Sequence, residues 1–441
     1  MDRTPQILIV GGGYVGMYTA LRLRKKLRRG EATITVVDPA STMTYQPFLA
    51  EAAAGSIEPR HVVVPLRKVL HGCEVVTGRV TAVDTGNRVA TVESAAGEQV
   101  RLAYDELVLA PGSISRTLPV PGLAEHAIGF GTLAEAVHLR NHILSRLDAA
   151  SGVADPEHRR ALLTCTVVGG GYSGIEVLAE LEDLARYALR YHPHLRPDDL
   201  RWVLVEAGDR ILPEVSLPLA EYTVQRLRDR GIEVRLGTRL ESVAGGHVRL
   251  SDGDSYDAGT VIWTAGVRAN PLAGRLGLPV DSRGRMVCTA ELQVYGVPGL
   301  WAAGDAAAVP DLSVEDPDAL CGPSAQHAVR QAKRLADNLV ATLRGRRLRP
   351  YRHAYAGSVA SLGLHKGVAE VYGIKLRGWP AWMMHRLYHL SRMPTLNRKA
   401  RVLADWALSF LFRREVVALD QLEHPRQDWE HATGEQLRSV A

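Results

Sequence analysis

The sequence predicts an α/β fold of two parallel-sheet units, each covered by helices, followed by a C-terminal amphipathic helical region. Three observations predict it. Short β-branched runs alternate with helical patterns through most of the chain. A glycine phrase, IVGGGYVGMYTALRL at Ile9–Leu23, returns as VVGGGYSGIEVLAEL at Val167–Leu181. After Arg349 the sequence turns aromatic, methionine-rich and basic. Alternation of strand and helix patterns builds parallel sheets. A repeat period near 158 residues marks a duplicated domain, because solenoid units are far shorter. The length, 441 residues, likewise exceeds one ordinary core.

Composition excludes several classes. Hydrophobic residues at 46% and charged residues at 23% are globular values, so most of the chain is expected to fold. Cys73, Cys165, Cys288 and Cys321 are scattered without CxxC spacing, so no disulfide framework, redox dithiol or metal cluster is expected. Met1 leads through a short polar stretch into ILIV, so no signal peptide is expected and a reducing cytoplasmic compartment follows. The net charge of +5 permits nucleic acid, an anionic membrane or acidic ligands as partners.

The first strand, ILIV, runs into Gly11, Gly13 and Gly16, a GxGxxG that opens an amphipathic helix. In such a motif the first glycine permits the turn, the second admits a pyrophosphate to the backbone, and the third lets helix and strand pack. Free N–H groups at the positive helix end then meet the phosphates. Asp38, closing ATITVVD, is the acid expected to hydrogen-bond a ribose. Gly169, Gly171 and Gly174 repeat the pattern and Glu206, closing WVLVE, supplies the second acid. A carboxylate there accepts ribose hydroxyls and repels a 2′-phosphate, which favours NADH over NADPH. The chain therefore reads as two Rossmann-like dinucleotide-binding domains. Between the motifs, Leu147–Arg160 is small, polar and proline-containing and reads as a surface connection. A later stretch, SAQHAVRQAKRLADNLVATLRG, reads as a helix.

The two cradles, ELVLAPG ending at Gly112, VIWTAGV ending at Gly266 and GLWAAGDAAAV containing Asp305 together resemble the two-dinucleotide flavoprotein superfamily over roughly residues 5–345. That resemblance implies FAD in the first cradle and an inserted NAD domain around the second. It further implies that Gly12, Tyr14, Pro47, Val80, Ala110, Asp305 and Ala325 also attend FAD, and that Tyr172, Ser173 and Gly266 attend NAD. The implied domains are an FAD-binding part at 1–115, a connecting region at 116–160, an NAD(H)-binding domain at 161–280, a second FAD-binding part at 281–345 and a membrane-association region at 346–441. No cysteine pair follows the first cradle. Thr44–Arg67 and the tail from Gly378 instead resemble type II NADH dehydrogenases, peripheral enzymes that reduce membrane quinone without pumping protons. In that family AQxAxQ is associated with the quinone pocket. Here Gln326 and Ala328 match it while Arg330 stands at the second glutamine, with Gln331 one residue, roughly 100°, further round the helix. The family glutamate linked to quinone protonation falls on Glu176, where the first repeat has Tyr18; a first-turn carboxylate favoured by the helix dipole is the plainer reading.

From Lys375 to Arg414 nine basic residues face one acid, Asp405, interleaved with Trp379, Trp382, Met383, Met384, Leu387, Leu390, Trp406, Leu408, Phe410, Leu411 and Phe412. No apolar run there reaches the ~18–20 residues of a membrane span. The pattern suits a helix lying in the headgroup layer of an anionic membrane, on its cytoplasmic side, and a homodimer interface stays open. A nucleic-acid surface is disfavoured, since no recognition motif accompanies the charge. The expected function is FAD-dependent transfer of electrons from NADH to a membrane quinone. Two alternatives remain: a soluble NADH:acceptor reductase serving a small redox protein or other non-quinone acceptor, and a flavin-based NADH sensor whose tail recruits a partner protein.

Overall fold

The computed structural model describes residues 3–353, 357–412, 414–418, 426 and 429–433; Arg413, counted among the tail cations, lies outside them. Strand Gln6–Val10 lies inside a seven-stranded sheet, in the order Leu300–Ala302, Glu106–Leu109, Gln6–Val10, Thr33–Asp38, Glu74–Asp84, Val89–Ser94, Gln99–Ala103. The first five pair in parallel and the last two antiparallel. Ile7, Leu8 and Ile9 are buried because both faces of the strand are covered, which is why ILIV is apolar without alternation. From Val10 the chain passes first to Thr33–Asp38 on one flank and later to Glu106–Leu109 on the other. A crevice opens where the strand order reverses, at the carboxyl ends of the strands. Helices Tyr14–Lys26 and Ala325–Leu343 pack together beside this sheet, joined by a bidentate Arg22–Asp337 pair at 2.8 and 2.7 Å.

The second repeat builds a five-stranded, wholly parallel sheet in the order Ala127–Gly129, Thr260–Trp263, Thr164–Val168, Arg201–Val205, Glu233–Arg235. All four cysteines are free, three of them buried. Among the described residues no helix is long and apolar enough to cross a membrane.

Two stretches differ from the sequence reading. Leu147–Arg160 is mostly helical: Leu133–Ser151 starts from a Thr132/Glu135 capping box, and Pro156–Leu162 starts from an Asp155 cap with proline in its first turn. Small residues and a proline suggested a loop, yet proline at the first helical position costs no hydrogen bond. The region after Arg349 does not begin as a helix. It opens with a three-stranded antiparallel sheet, Gly357–Ser361, Gly367–Val371 and Ile374–Arg377, before helices Trp379–Arg392 and Leu396–Phe412.

Candidate functional site

In the first cradle the three glycines are needed for different reasons. Gly11 has φ +104°, and a Cβ there would stand 2.2 Å from the Ala110 carbonyl oxygen; one at Gly16 would stand 1.8 Å from the Gly11 carbonyl. Packing forces both. Gly13 has an ordinary φ of −70° and nothing within 4 Å of its absent Cβ. The protein itself does not require glycine there, so the open space is room for a ligand to approach the backbone. Asp38 Oδ2 accepts from Gly12 N at 2.6 Å and Oδ1 from Ala40 N at 2.7 Å. Burial raises the Asp38 carboxyl above its usual range, and these two amides oppose the rise.

A cavity of about 340 Å³ runs from this cradle. Of the residues the sequence singled out for the first cradle, Gly11, Gly13, Tyr14, Asp38, Val80, Ala110, Gly112, Asp305 and Ala325 line it. Gly12 and Gly16 stand behind the lining, one holding Asp38 and the other packing the helix. Pro47 also lies off it, in the turn Gln46–Phe48 whose Gln46 does line it. Sequence reasoning missed Thr42, Arg79, Ser113, Asn270 and Arg275. Ser113 follows ELVLAPG directly and could have been found; its Oγ donates to Asp305 Oδ2 at 2.7 Å, while burial raises the Asp305 carboxyl. Asn270 and Arg275 follow the second parallel sheet in sequence, so only the fold brings them here. A cavity lined by an open glycine, Gly13, and by the largely buried carboxylates Asp38 and Asp305 fits FAD.

The second cradle repeats the arrangement. Gly169 has φ +114° and its Cβ would meet the Thr264 backbone at 2.7 Å; one at Gly174 would lie 1.9 Å from the Gly169 carbonyl. Gly171, like Gly13, has an ordinary φ, −74°, and open space. Glu206 accepts from Gly170 N and Gly208 N, both at 2.6 Å, the same two-oxygen clasp as Asp38. Thr264 Oγ1 lies 2.9 Å from the Val168 carbonyl, fixing the turn that leads to Gly266, φ +94°. Tyr172 and Ser173 open the helix Tyr172–Ala188. Replacing Glu206 with glutamine removes the charge that repels a 2′-phosphate. The ratio of NADH to NADPH efficiency is expected to fall by about tenfold, near 1.4 kcal/mol; an unchanged ratio in steady-state assays would assign coenzyme choice elsewhere.

Glu176 and Gln326 do not line this cavity. The structure ties them to opposite ends of one strand: Gln326 Nε2 donates to Gly357 O at 2.9 Å, and Ser361 N donates to Glu176 Oε1 at 3.1 Å. Four residues of strand separate these anchors by about 13 Å. Arg330 Nη1 donates to Gln326 Oε1 at 3.0 Å, so the departure from AQxAxQ holds the matching glutamine. Gln331 is turned away and accepts from Gly304 N at 2.7 Å, beneath Asp305, so it does not replace the second glutamine.

The Tyr18/Glu176 difference between repeats also has a structural counterpart. Both residues grip helix Trp379–Arg392: the Tyr18 hydroxyl donates to Arg392 O at 3.0 Å, and Glu176 Oε1 lies 3.1 Å from His385 Nε2. His385 was not found from the sequence, being one histidine among 16 and far along the chain. It is buried, with the His389 ring 4.6 Å away. Burial opposes charge on His385, but Glu176, helped by Glu51 and resisted by Arg386, raises it above the ordinary histidine value. Burial and His385 push His389 well down, leaving it neutral.

The tail aromatics and cations do not all face outward. Arg386 is buried, 2.7 Å from the buried Glu51, with its guanidinium 4.2 Å from the Trp382 ring and 4.7 Å from Trp406. Trp406 Nε1 donates to the same Glu51 oxygen at 2.9 Å, and Arg414 pairs with the buried Glu180 at 3.1 Å. Trp382, Leu390 and Trp406 are therefore packing residues, and Arg386 and Arg414 are internal counter-ions; buried acids on the first and second repeats require them. Trp379, Met384, Leu387, Leu396, Leu403, Leu408, Phe410, Leu411 and Phe412 do stay exposed.

The family described as "Pyridine nucleotide-disulphide oxidoreductase" matches residues 5–332. The type II NADH:quinone oxidoreductase Ndh of Mycobacterium tuberculosis is 29% identical over 427 residues, 93% of this chain and 89% of that protein. The demethylphylloquinone reductase NdbB of Synechocystis is 32% identical over 423 residues, 92% and 98%. The structure of NDH2 from Plasmodium falciparum in complex with NADH superimposes with a TM-score of 0.85 at 17% identity, covering 94% of this chain and all of that one, a likeness of fold.

Proposed function

Since this chain belongs to the pyridine nucleotide-disulphide oxidoreductase family, and within it to the type II NADH:quinone oxidoreductases, we propose how its residues share that work. The enzyme oxidises NADH and reduces a quinone. FAD, when bound, would supply the acceptor for the nicotinamide's hydride and the donor of electrons to the quinone. The first cradle would hold the FAD pyrophosphate against the open backbone at Gly13, Asp38 would hold its ribose, and Asp305 with Ser113 its ribityl or phosphate part. The second cradle binds NADH in the same manner through Gly171 and Glu206. The observation that carries this reading is the repeated arrangement, an open glycine (Gly13, Gly171) beside an acid that clasps the neighbouring backbone (Asp38, Glu206), which at Gly13 opens into the cavity. None of the four cysteines lines the cavity, which suits an acceptor reached without a dithiol.

Quinol formation consumes two protons. We place one at the His385–Glu176 pair, which holds a proton in a buried position, with Gln326 at the other end of strand Gly357–Ser361 on the acceptor side. Because its folded value is raised, the pair's stabilisation is complete below about pH 6.5, the ordinary histidine value, and is lost as pH rises through the raised one. Melting temperatures of the parent are expected to decline over that window, and those of His385→Gln to lack that component. Parallel melting curves would remove the pair from the account.

The exposed apolar face of Leu396–Phe412, flanked by Arg398, Lys399 and Arg401, suits the headgroup layer of an anionic membrane on its cytoplasmic side. Phe410 and Phe412 are 83% and 77% exposed. Replacing each with serine is expected to weaken sedimentation with anionic vesicles by about 2 kcal/mol per ring. If the double variant bound vesicles as tightly as the parent, another surface would be responsible; if the parent bound none, a water-soluble acceptor would be favoured.

A further inference from the structure

Outside the cofactor cavity, three metal-binding chemistries meet at the start of helix Ala325–Leu343. The 309–321 loop is closed by an antiparallel bridge, Pro310 to Leu320, with Asp311 N donating to Ala319 O at 2.8 Å and Cys321 N to Val309 O at 2.9 Å. This closure sets Asp311 beside Cys321. Ser324 then caps the helix by accepting from His327 N at 3.1 Å, which fixes His327 in its first turn. As a result a carboxylate oxygen of Asp311, Cys321 Sγ and a ring nitrogen of His327 all lie within 4.8 Å of one another. The scattered cysteine spacing conceals this, because the loop supplies two of the groups and the helix the third.

We propose that Asp311, Cys321 and His327 form a site for a divalent cation of the zinc class, which clips the 309–321 loop to the helix turn carrying Gln326. A thiolate, an imidazole and a carboxylate suit zinc better than magnesium or calcium, which take oxygen ligands. Zinc bonds of 2.0–2.3 Å around a tetrahedron put ligand atoms about 3.5 Å apart, so side-chain movements of about 1 Å close the site. A metal-bound imidazole is normally oriented by an outer hydrogen bond. Here the Tyr351 hydroxyl lies 3.1 Å from His327 Nδ1 and 3.2 Å from His353 Nδ1, and the His353 ring lies 4.1 Å from that of His327. Burial and His353 lower His327 to about 4, which keeps it neutral. Burial and Asp311 raise the metal-free Cys321 thiol to about 11, so binding displaces its proton. The fourth position falls to His353 or water.

The test titrates untagged, FAD-loaded, chelator-stripped protein with Co²⁺ as a spectroscopic substitute. One equivalent is expected to give tetrahedral cobalt bands to the red of the flavin absorption and a thiolate charge-transfer band, both erased by Zn²⁺. Cys321→Ser is expected to lose the charge-transfer band and weaken Zn²⁺ binding by about 100-fold or more, and Tyr351→Phe to weaken it by about tenfold with the bands retained. His327→Gln is an independent second ligand variant, and the flavin spectrum reports whether each variant is folded. Octahedral cobalt only in the parent, or Zn²⁺ affinity unchanged by Cys321→Ser, overturns the proposal; should both ligand variants fail to fold, the parent spectrum decides. None of these readouts depends on NADH or quinone.

Discussion

Alanine at Gly11 is expected to give a colourless chain without FAD, whereas alanine at Gly169 leaves a yellow protein that NADH no longer reduces. Each position combines a positive φ, +104° and +114°, with a backbone atom inside contact distance of the added Cβ, 2.2 Å and 2.7 Å. A non-glycine residue held at such a φ costs about 1–3 kcal/mol, and neither obstructing carbonyl is a side chain that can rotate away. The turn must therefore shift, and the N–H groups aimed at the pyrophosphate shift with it. At Gly169 the expected loss of NADH affinity is at least about 100-fold, near 2.7 kcal/mol. Visible absorbance of the purified variants, followed by anaerobic NADH titration, separates the two cradles. Were Gly11→Ala to retain FAD and Gly169→Ala to lose it, their assignments would be reversed.

Arg386→Ala is expected to destabilise the protein by about 3–5 kcal/mol, since it leaves the Glu51 carboxylate buried without its counter-ion. Glu51 is 2% exposed, and Arg386 also fills the space between Trp382 and Trp406. The double variant Glu51→Gln, Arg386→Met removes both charges while keeping much of the volume, so it is expected to lie closer to the parent than Arg386→Ala does. Chemical denaturation with tryptophan fluorescence tests both statements. A double variant less stable than Arg386→Ala would mean that the indole stacking, not the buried carboxylate, sets the cost.

The two cradles were legible because everything that defines them is local. A strand, three glycines and a helix follow one another directly, from Gln6 to Lys26 and from Thr164 to Ala188, and each acid stands at the end of the next strand of the same unit. Ser113 was equally local and was missed for lack of a pattern to name it. Asn270 and Arg275 reach the cavity because strand Val267–Ala269 pairs with Ser113–Ser115 and Asn270 N donates to Gly112 O, a pairing between segments about 150 residues apart. The tail shows a different limit of periodicity, which marks an amphipathic helix without saying which aromatic faces inward. Trp382 and Trp406 look like lipid-facing indoles until Glu51 and Arg386 are seen between them, and the pairing depends on a carboxylate more than 300 residues earlier. Glu176 was singled out by comparing the two repeats; its partner His385 was invisible for the same reason of distance.

The most direct measurement mixes the FAD-loaded enzyme anaerobically with one equivalent of NADH, then with a quinone, in the parent and in a variant with all four cysteines replaced by serine. The flavin is expected to bleach with NADH and recover with quinone in both proteins, at comparable rates. Failure of NADH to bleach the flavin, or recovery that disappears with the cysteines, would contradict direct transfer from one dinucleotide to the other and on to the quinone.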